Sequence, residues 1–345
     1  MKKIVTKRKI FSLIAVVLLL AVSAVFITAC DDEDKVPEGS IQIGGRTVIP
    51  EIVAETQISS EMASENADII IMPTNAAATL YNKEGGKKYK LVSSVTMGIL
   101  YIIGKGDATL TAEDLKGKRL VSIGAGNVPQ KVLEKVLTAK DIAFESATGG
   151  GSAAEDSVKI TYVANGVAVR AALDAGEADY GLLGEPAVTA FSSVYPARLS
   201  LQDLWMEVTG DDSYPQASLF MKASLLESDP GFVAVFIEEM RLNLTWIEEN
   251  KTEITAILQA KGSATTFPPA SIARCNLQIN SAADIKDAVK NFLTVVSGAA
   301  SVPDDGFFYV PVGTTPAIKG IGANLRFVFP DGAPALAAGK ILAAA

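Results

Sequence analysis

The sequence predicts an α/β protein built on mostly parallel sheets. Short apolar runs of strand length alternate with segments of helical periodicity along most of the chain. The run at 69–72 is apolar throughout, as expected for a strand covered on both faces. Glycine, proline or asparagine stands where several of these runs give way to a helix. Such alternation is typical of βαβ units, in which helices cover a parallel sheet.

Turn and capping signals locate the individual elements. Pro129 favours a helix that begins near 128, while Asn165 and Gly176 suit the two ends of another helix. The predicted strands lie at 67–73, within 90–104 as two β-rich runs, and at 118–126 with its glycine turn, 159–163, 178–184, 217–222 and 325–329. The predicted helices are 74–83, 128–140, 165–176, 229–250 and one that Pro334 opens.

The composition restricts the chemistry that the protein could perform. The chain has 345 residues with 31 basic and 39 acidic side chains, and it contains no histidine. This excludes Ser-His and Cys-His nucleophiles, histidine acid–base catalysis and imidazole metal sites. A binding protein needs none of these groups, and we expect no catalytic residue, no metal and no cofactor.

The first 30 residues have the features of an export signal. Five basic residues precede an apolar run at 10–27, and small residues lead to Cys30. The sequence Ile-Thr-Ala-Cys resembles the lipobox of bacterial lipoproteins, in which the cysteine is lipidated and becomes the first residue. We therefore expect a signal peptide at 1–29, a lipid on Cys30 and a flexible tether at 30–45. An uncleaved anchor helix is the alternative, because the run is nearly long enough to span a bilayer.

Cleavage of the signal would leave a strongly acidic chain. Loss of residues 1–29 removes five positive and no negative charges, which leaves 26 basic and 39 acidic residues and a net charge of −13. This balance argues against nucleic acid as a partner and suits a domain held off an anionic membrane. With Cys30 lipidated, Cys275 has no cysteine to pair with, and we expect it to be a small buried residue.

Four strand-to-helix turns are small or glycine-rich. They lie at 73–76, 124–127, 184–186 and 331–334. Each lets the backbone approach a small guest closely, and the unpaired N–H groups of a helix start carry partial positive charge. In open α/β sheets, ligands bind at this edge. The set predicts a binding cleft between two domains, although the geometry of such turns also favours these residues without any ligand.

Two motif-like stretches and two carboxylates have competing interpretations. The Gly-Ala-Gly at 124–126 lacks the third glycine and the acidic ribose partner of a dinucleotide site. The loop at 149–154 offers Ser152 without a closing glycine or a histidine to activate it. Glu185 and Asp331 could bind an amine or a ring N–H of a ligand, or could simply be favoured by the dipole of the helix that follows.

Several stretches together resemble a known family: ADIIIMPTNAAATLYNK, LKGKRLVSIGAGNVPQKVLEKVL, ITYVANGVAVRAALDAGEADYGLLGEPAV, YPQASLFMK and IARCNLQI. The chain is similar, over roughly 48–310 and 322–345, to the substrate-binding lipoproteins of ABC importers for nitrate, sulfonates, taurine and thiamine precursors. The resemblance implies a type 2 periplasmic-binding-protein fold, in which two α/β lobes joined by two crossover strands close on a small molecule. It places lobe one at 46–98 and 214–345, lobe two at 99–213, and the crossovers near 94–101 and 214–219.

The resemblance also implies ligand-binding positions at helix starts and crossovers. They are Thr74, Asn75, Ala76, Met97, Gly98, Gly126, Asn127, Glu185, Asp331, Gly332 and Ala333. Main-chain donors dominate this set, which favours an anion or a polar ring as the ligand. No cluster of arginines marks a strongly charged sulfonate or phosphate site, so a neutral heterocycle such as a thiamine-type pyrimidine stays open.

The order of elements departs from this family at the C-terminus. The family's first strand, followed by Pro-Asp-Gly-Ala-Pro-Ala-Leu, lies here at 325–336, beyond a linker at 311–322. We hypothesise a circular permutation, which is tolerated where the old termini are close and the new break is exposed. It requires 325–329 to lie in the lobe-one sheet of its own chain, beside 69–72. The alternative is a truncated second copy, whose last residues would dangle or swap into a neighbour.

The expected function is that of a lipid-anchored solute receptor on the extracytoplasmic face of a bacterial cell membrane. Its partners would be a small polar or anionic organic solute and an ABC permease with its ATPase, and no nucleic acid. Solute contacts made only when the lobes are shut would drive closure. Two alternatives remain. One is an enzyme on the same fold, a lyase or a pyrimidine-precursor synthase, against which the missing histidine and the export signal count. The other is a sensory or adhesion lipoprotein without a permease.

Overall fold

The computed structural model describes residues 37–83, 86–106, 109–147, 151–311, 317, 319 and 322–345. The expected signal peptide, Cys30, most of the 311–322 linker and part of the 149–154 loop lie outside these residues. Gly39–Ala345 forms one compact unit. Two mixed sheets organise it, which confirms the predicted α/β class. The expectation of mostly parallel sheets is wrong, because six of the eleven strand pairs in the described residues are antiparallel.

The first sheet has seven strands. They are β1 Ile41–Ile43, β2 Arg46–Val53, β3 Ile69–Pro73, β4 Tyr89–Met97, β11 Pro215–Lys222, β12 Leu277–Ser281 and β13 Leu325–Pro330. Their order across the sheet is β1-β2-β13-β3-β11-β4-β12. β13 is parallel to both β2 and β3, and the other pairs are antiparallel. We call the part of the chain built on this sheet lobe one.

The second sheet has six strands. They are β5 Leu100–Gly104, β6 Arg119–Ser122, β7 Ala143–Ser146, β8 Ser157–Tyr162, β9 Tyr180–Gly184 and β10 Ala197–Ser200. Their order is β10-β5-β9-β6-β8-β7, and the four strands from β9 to β7 are parallel. We call the part built on this sheet lobe two. That each lobe moves as a unit stays a prediction.

Helices pack against both sheets. They are α1 Ile58–Ala63, α2 Thr74–Asn82, α3 Val128–Ala139, α4 Gly166–Asp174, α5 Ala187–Ala190, α6 Leu201–Thr209, α7 Ala223–Ser228, α8 Pro230–Asn250, α9 Ile254–Ala260, α10 Ala282–Ser297, α11 Ala333–Ala337 and α12 Gly339–Ala344. Short 3₁₀ helices lie at Gly86–Lys88, Glu113–Leu115, Pro269–Cys275, Ala299–Ser301 and Asp305–Phe307. In the described part of the chain, no helix is both long enough and apolar enough to cross a membrane.

The lobe-one sheet is covered on both faces. Alternate residues of β3 belong to different apolar cores, with Ile69 and Ile71 in one and Ile70 and Met72 in the other. This is the burial that the unbroken apolar run predicts. Cys275 is fully buried and free, as expected, and burial raises the pKa of its thiol to about 12.

Part of the expected tether belongs to the lobe-one sheet. β1 pairs with β2 through a turn at Gly44 and Gly45, both with positive φ (52° and 73°). Two such glycines allow a tight hairpin whose twist matches that of its strands. Ile43 is buried in the core beside β2. The glycine-rich composition of this segment therefore belongs to a hairpin at 41–48 as well as to a connection.

The C-terminal strand lies where the permutation hypothesis requires it. β13 pairs with β3 through Phe327 and Val328, opposite Ile69 and Ile70, and pairs with β2 on its other side. The Arg326 guanidinium binds Glu51 on β2 through two hydrogen bonds of 2.6 and 3.1 Å. The predicted position of this strand in the sheet of its own chain is confirmed, and it does not dangle.

The chain passes twice between the lobes. β4 leads through Gly98 and Ile99 into β5, and residues 210–214 lead from α6 into β11. Beside these passages, aromatic rings from both lobes pack together: Trp205 of α6 lies 5.2 Å from Tyr214 and 5.7 Å from Phe292 of α10, centroid to centroid. The lobes are thus connected by backbone and by an apolar cluster at the same place.

Candidate functional site

The four small or glycine-rich turns follow the strands β3, β6, β9 and β13, each of which has a parallel neighbour. They therefore lie at the carboxyl edges of the two sheets. A hydrogen bond joins the two edges, because Asn75 Nδ2 at the start of α2 donates to the carbonyl oxygen of Gly126, at 3.2 Å. The edges face each other, and a predicted position of lobe one touches a predicted position of lobe two.

Asn75 keeps one hydrogen-bonding atom without a partner. The residue is only 5% exposed, and its amide oxygen accepts no hydrogen bond from the protein. The contact with Gly126 decides the orientation of the amide, because a carbonyl oxygen accepts only from the amide nitrogen. Leaving a buried acceptor unpaired costs about 1–3 kcal/mol. A guest that separated the two edges could donate a hydrogen bond to this oxygen.

The other two positions in this turn play different parts. Thr74 is fully buried, and its hydroxyl shares a 2.9 Å hydrogen bond with the hydroxyl of Ser218 on β11. It therefore ties α2 to the sheet rather than facing the opposite lobe. Ala76 is half-buried and contributes no polar side-chain atom.

The two helices that begin at this contact lack side-chain caps. Neither Pro73 before α2 nor Asn127 before α3 accepts a hydrogen bond from the first turn. The other described helices of nine or more residues, α4, α6, α8 and α10, are each capped by an Asn, Ser or Asp side chain. Uncapped N–H groups carry partial positive charge and seek an acceptor. Two uncapped helix starts from opposite lobes thus converge at Asn75 and Gly126.

The turn before α3 depends on glycine. Gly126 has a φ of +76° and is exposed, so its backbone is accessible. Its N–H donates to Oε1 of Gln130 at 2.7 Å, and Gln130 in turn donates to Glu134. Asn127 is half-buried, and its side chain is not used as a cap.

Met97 and Gly98 lie at the first crossover. The N–H of Met97 donates to the carbonyl of Asn276, and the N–H of Gly98 donates to Ser213 Oγ, both at 3.1 Å. A Cβ at Gly98 would lie 2.8 Å from the ring of Tyr214, so no side chain fits there. Both residues hold the crossover together, and their N–H groups are already used.

Glu185 is bound by protein groups from both lobes. Its side chain is fully buried, and its carboxylate accepts hydrogen bonds from the N–H and the hydroxyl of Thr189, at 3.0 and 2.8 Å. Arg274, in the 3₁₀ helix Pro269–Cys275 of lobe one, donates from Nε to the same carboxylate at 2.7 Å. This ion pair crosses between the lobes. In this structure the carboxylate has a protein cation as its partner.

Asp331 likewise has a full set of protein donors. Its carboxylate accepts from the hydroxyl of Ser263, from the N–H of Ala264 and from the N–H of Gly332, at 2.5, 2.8 and 2.8 Å. It therefore anchors the loop after α9 to the end of β13. Gly332 has a φ of +96°, and Ala333 is buried at the start of α11.

Glu55 is a further carboxyl group at this edge that was not predicted as a site residue. It follows β2, and the residue is exposed. Desolvation and the negative charge of Asp331 raise its pKa to about 7. Near neutral pH such a group can both donate and accept a hydrogen bond. Within the described residues, no group of three or more Cys, Asp or Glu side chains is placed to hold a metal ion.

The predicted positions therefore fall into two groups, those that contact the opposite lobe and those whose polar groups bind within the protein framework. Asn75 and Gly126 meet across the lobes, whereas Thr74, Met97, Gly98 and Asp331 are bound within the protein framework. Arg274 was not predicted as a site residue, and its contact with Glu185 spans 89 residues of sequence. No local pattern around it signals such a partner.

Comparison with known proteins adds to this geometry. No protein-family model and no curated protein matches the chain. A solved ABC transporter structure from Parabacteroides distasonis is 22% identical, with a TM-score of 0.57 over 74% of this chain and 85% of that one. The alkanesulfonate-binding protein SsuA of Xanthomonas axonopodis pv. citri, bound to MOPS, is 19% identical, with a TM-score of 0.50 over 73% and 82%. The ligand-binding component of an ABC-type import system from Staphylococcus aureus, with zinc bound, is 10% identical, with a TM-score of 0.50 over 74% and 82%.

These similarities define the fold of the chain. It has the two-lobed periplasmic-binding-protein fold that the sequence predicts, with one α/β sheet in each lobe and two passages of backbone between them. Identities of 10 to 22% do not carry the solute of any of these proteins over to this chain.

Proposed function

We propose that the chain is the solute receptor of an ABC importer. It is anchored by a lipid on Cys30 to the extracytoplasmic face of the membrane, and it presents its closed form to a permease and its ATPase. The observation that carries this proposal is the convergence of two uncapped helix starts from opposite lobes at Asn75 and Gly126. Two similar solved structures, one described as an ABC transporter and one as the ligand-binding component of an ABC-type import system, support the same class.

The proposed mechanism is capture of a small polar or anionic organic solute by lobe closure. First-turn N–H groups of α2 and α3 bind acceptor atoms of the solute, since they lack side-chain caps. The amide oxygen of Asn75 accepts a hydrogen bond from any N–H or O–H of the solute. Contacts from both lobes exist only in the closed form, so binding shifts the population towards it. The mechanism needs neither a cofactor nor a metal.

Mass spectrometry of the molecule released on denaturation tests the proposal. The unsubstituted protein, purified from its own cells, should release one small solute in near-stoichiometric amount. Asn75→Ala should retain it at least about tenfold more weakly, because the variant loses a buried hydrogen-bonding group at the contact between the lobes. Asn291→Ala, which changes an exposed asparagine of α10, is the matched control and should retain the solute fully. Equal retention by both variants, or turnover of the compound, would contradict the proposal.

The lipid anchor is tested separately by Cys30→Ser. We expect the variant to lose labelling by a fatty-acid analogue, because the serine provides no thiol for lipidation. Metabolic labelling and fractionation of the cells measure the effect. Cleavage of the variant after residue 29, or an unsubstituted protein that carries no label, would favour a different attachment. An unsubstituted protein of full, uncleaved mass would identify the anchor helix instead.

A further inference from the structure

Arg274 makes its side-chain hydrogen bonds to the opposite lobe. Nε donates to Glu185 at 2.7 Å, and Nη2 donates to the hydroxyl of Thr189. That hydroxyl donates to Glu185 in turn, so the guanidinium, the hydroxyl and the carboxylate form a closed triangle. Among the described residues, the Arg274 side chain has no hydrogen bond or ion pair within lobe one. Its position on the 3₁₀ helix Pro269–Cys275 thus serves a contact between lobes.

The buried carboxylate of Glu185 depends on this contact for its counter-charge. The carboxylate side chain is fully buried, whereas Arg274 is 37% exposed. Removing a carboxylate from water costs several kcal/mol unless a cation and hydrogen bonds replace the lost hydration. Thr189 supplies two of these hydrogen bonds from the same lobe, and Arg274 supplies the charge. Separation of the lobes would remove the cation and return water to the carboxylate.

The other hydrogen bond described between the facing edges is weaker. It is the neutral hydrogen bond from Asn75 to Gly126, at 3.2 Å, which a guest between the lobes would interrupt. A hydrogen bond between charged groups is roughly twice as strong as a neutral one. The ion pair can therefore hold the lobes together while the Asn75 contact opens for a solute.

We propose that Arg274 is a positioning residue that latches lobe one onto Glu185 and Thr189, and that this latch determines how much of the protein is closed before a solute binds. The role of Glu185 is then to bind the Arg274 guanidinium, and not the solute. The consequence for solute affinity rests on the proposed function, since a receptor that is less often closed binds more weakly in proportion. The latch itself can be measured without any solute.

Distance measurements between spin labels test the latch in the full chain. Labels on Lys83→Cys after α2 and Glu177→Cys after α4 occupy exposed positions of the two lobes. Cys275 is buried, and the chain without these substitutions provides the background. Arg274→Gln should raise the ratio of open to closed molecules by about tenfold or more. Glu185→Gln should open the protein as well, and the double variant should add little, because both single changes remove the same ion pair.

A matched arginine provides the control. Arg241→Gln removes an exposed ion pair with Glu238 inside α8 and should leave the distances unchanged. The proposal is overturned if Arg274→Gln has the distances of the unsubstituted chain, if the two single effects add fully, or if the unsubstituted chain is already open. If Glu185→Gln fails to fold, the distances measured in Arg274→Gln alone decide the proposal. A latch that behaves as expected in a protein that retains no solute would leave this inference intact and remove the proposed function.

Discussion

Deletion of residues 325–345 should abolish cooperative folding of lobe one. β13 lies between β2 and β3, so its loss leaves both neighbours with unpaired backbone groups. Phe327, Val328 and Phe329 are each fully buried. Each large apolar side chain contributes about 1.5–3 kcal/mol on burial, and the three together approach the stability of a typical domain, about 5–15 kcal/mol. Thermal unfolding followed by circular dichroism, and resistance to protease, measure the effect.

A rearranged chain tests whether folding requires this segment only in the sheet or also at the C-terminal end of the sequence. We propose that the chain is a circular permutant, and residues 322–345 moved to precede Gly39 should therefore restore folding. A flexible linker should join Ala345 to Gly39, because α12 and β1 both contact α8, a helix of 21 residues that is about 30 Å long. The moved chain should melt within a few degrees of the unaltered one. If it behaved like the deletion, the permutation would lose its support, whereas a deletion that melts normally would show that β13 is dispensable.

Much of the fold could be predicted because its signals are local. The apolar run at 69–72, the turn residues and the caps of α4 each depend on a few neighbouring positions. The place of β13 followed from a family resemblance, and its sequence alone does not name β2 and β3 as its neighbours. The hairpin of β1 could not be predicted, because Gly44 and Gly45 suit a turn and a flexible tether equally well.

The candidate site could be predicted only in part, because its contacts are long-range. The turns that carry Asn75 and Gly126 were identifiable as strand ends, and parallel strands bring such ends to one edge. Whether a side chain contacts the opposite lobe or its own lobe depends on partners far along the chain. Asp331 meets Ser263, and Glu185 meets Arg274, which lies 89 residues away. The uncapped start of α3 was also invisible, because Asn127 is a good capping residue that is not used as a cap.

Replacement of Asn243 should destabilise the protein more than any exposed change on the same helix. Asn243 is fully buried in α8, and its amide nitrogen donates to the carbonyls of Leu336 and Ala337, at 3.1 and 2.8 Å. Its amide oxygen accepts from the N–H of Lys340 at 2.7 Å. One side chain thus makes hydrogen bonds to backbone groups at the end of α11 and at the start of α12. Asn243→Leu removes three hydrogen bonds. The carbonyl of Leu336 keeps the N–H of Ala338 as a donor, whereas the carbonyl of Ala337 and the N–H of Lys340 lose their partner, at a cost of about 1–3 kcal/mol each.

We therefore expect Asn243→Leu to lower the free energy of unfolding by about 3 kcal/mol or more, measured by urea denaturation at constant slope. Leu242→Ala changes the adjacent, 44% exposed residue of α8 and should stay within about 0.5 kcal/mol of the unsubstituted protein. Asn243→Asp should also be destabilising, because a carboxylate would face two carbonyl oxygens in place of the amide nitrogen. If Asn243→Leu were as stable as Leu242→Ala, water would have to satisfy the freed groups, and the C-terminal helices would be held by apolar packing against α8 instead.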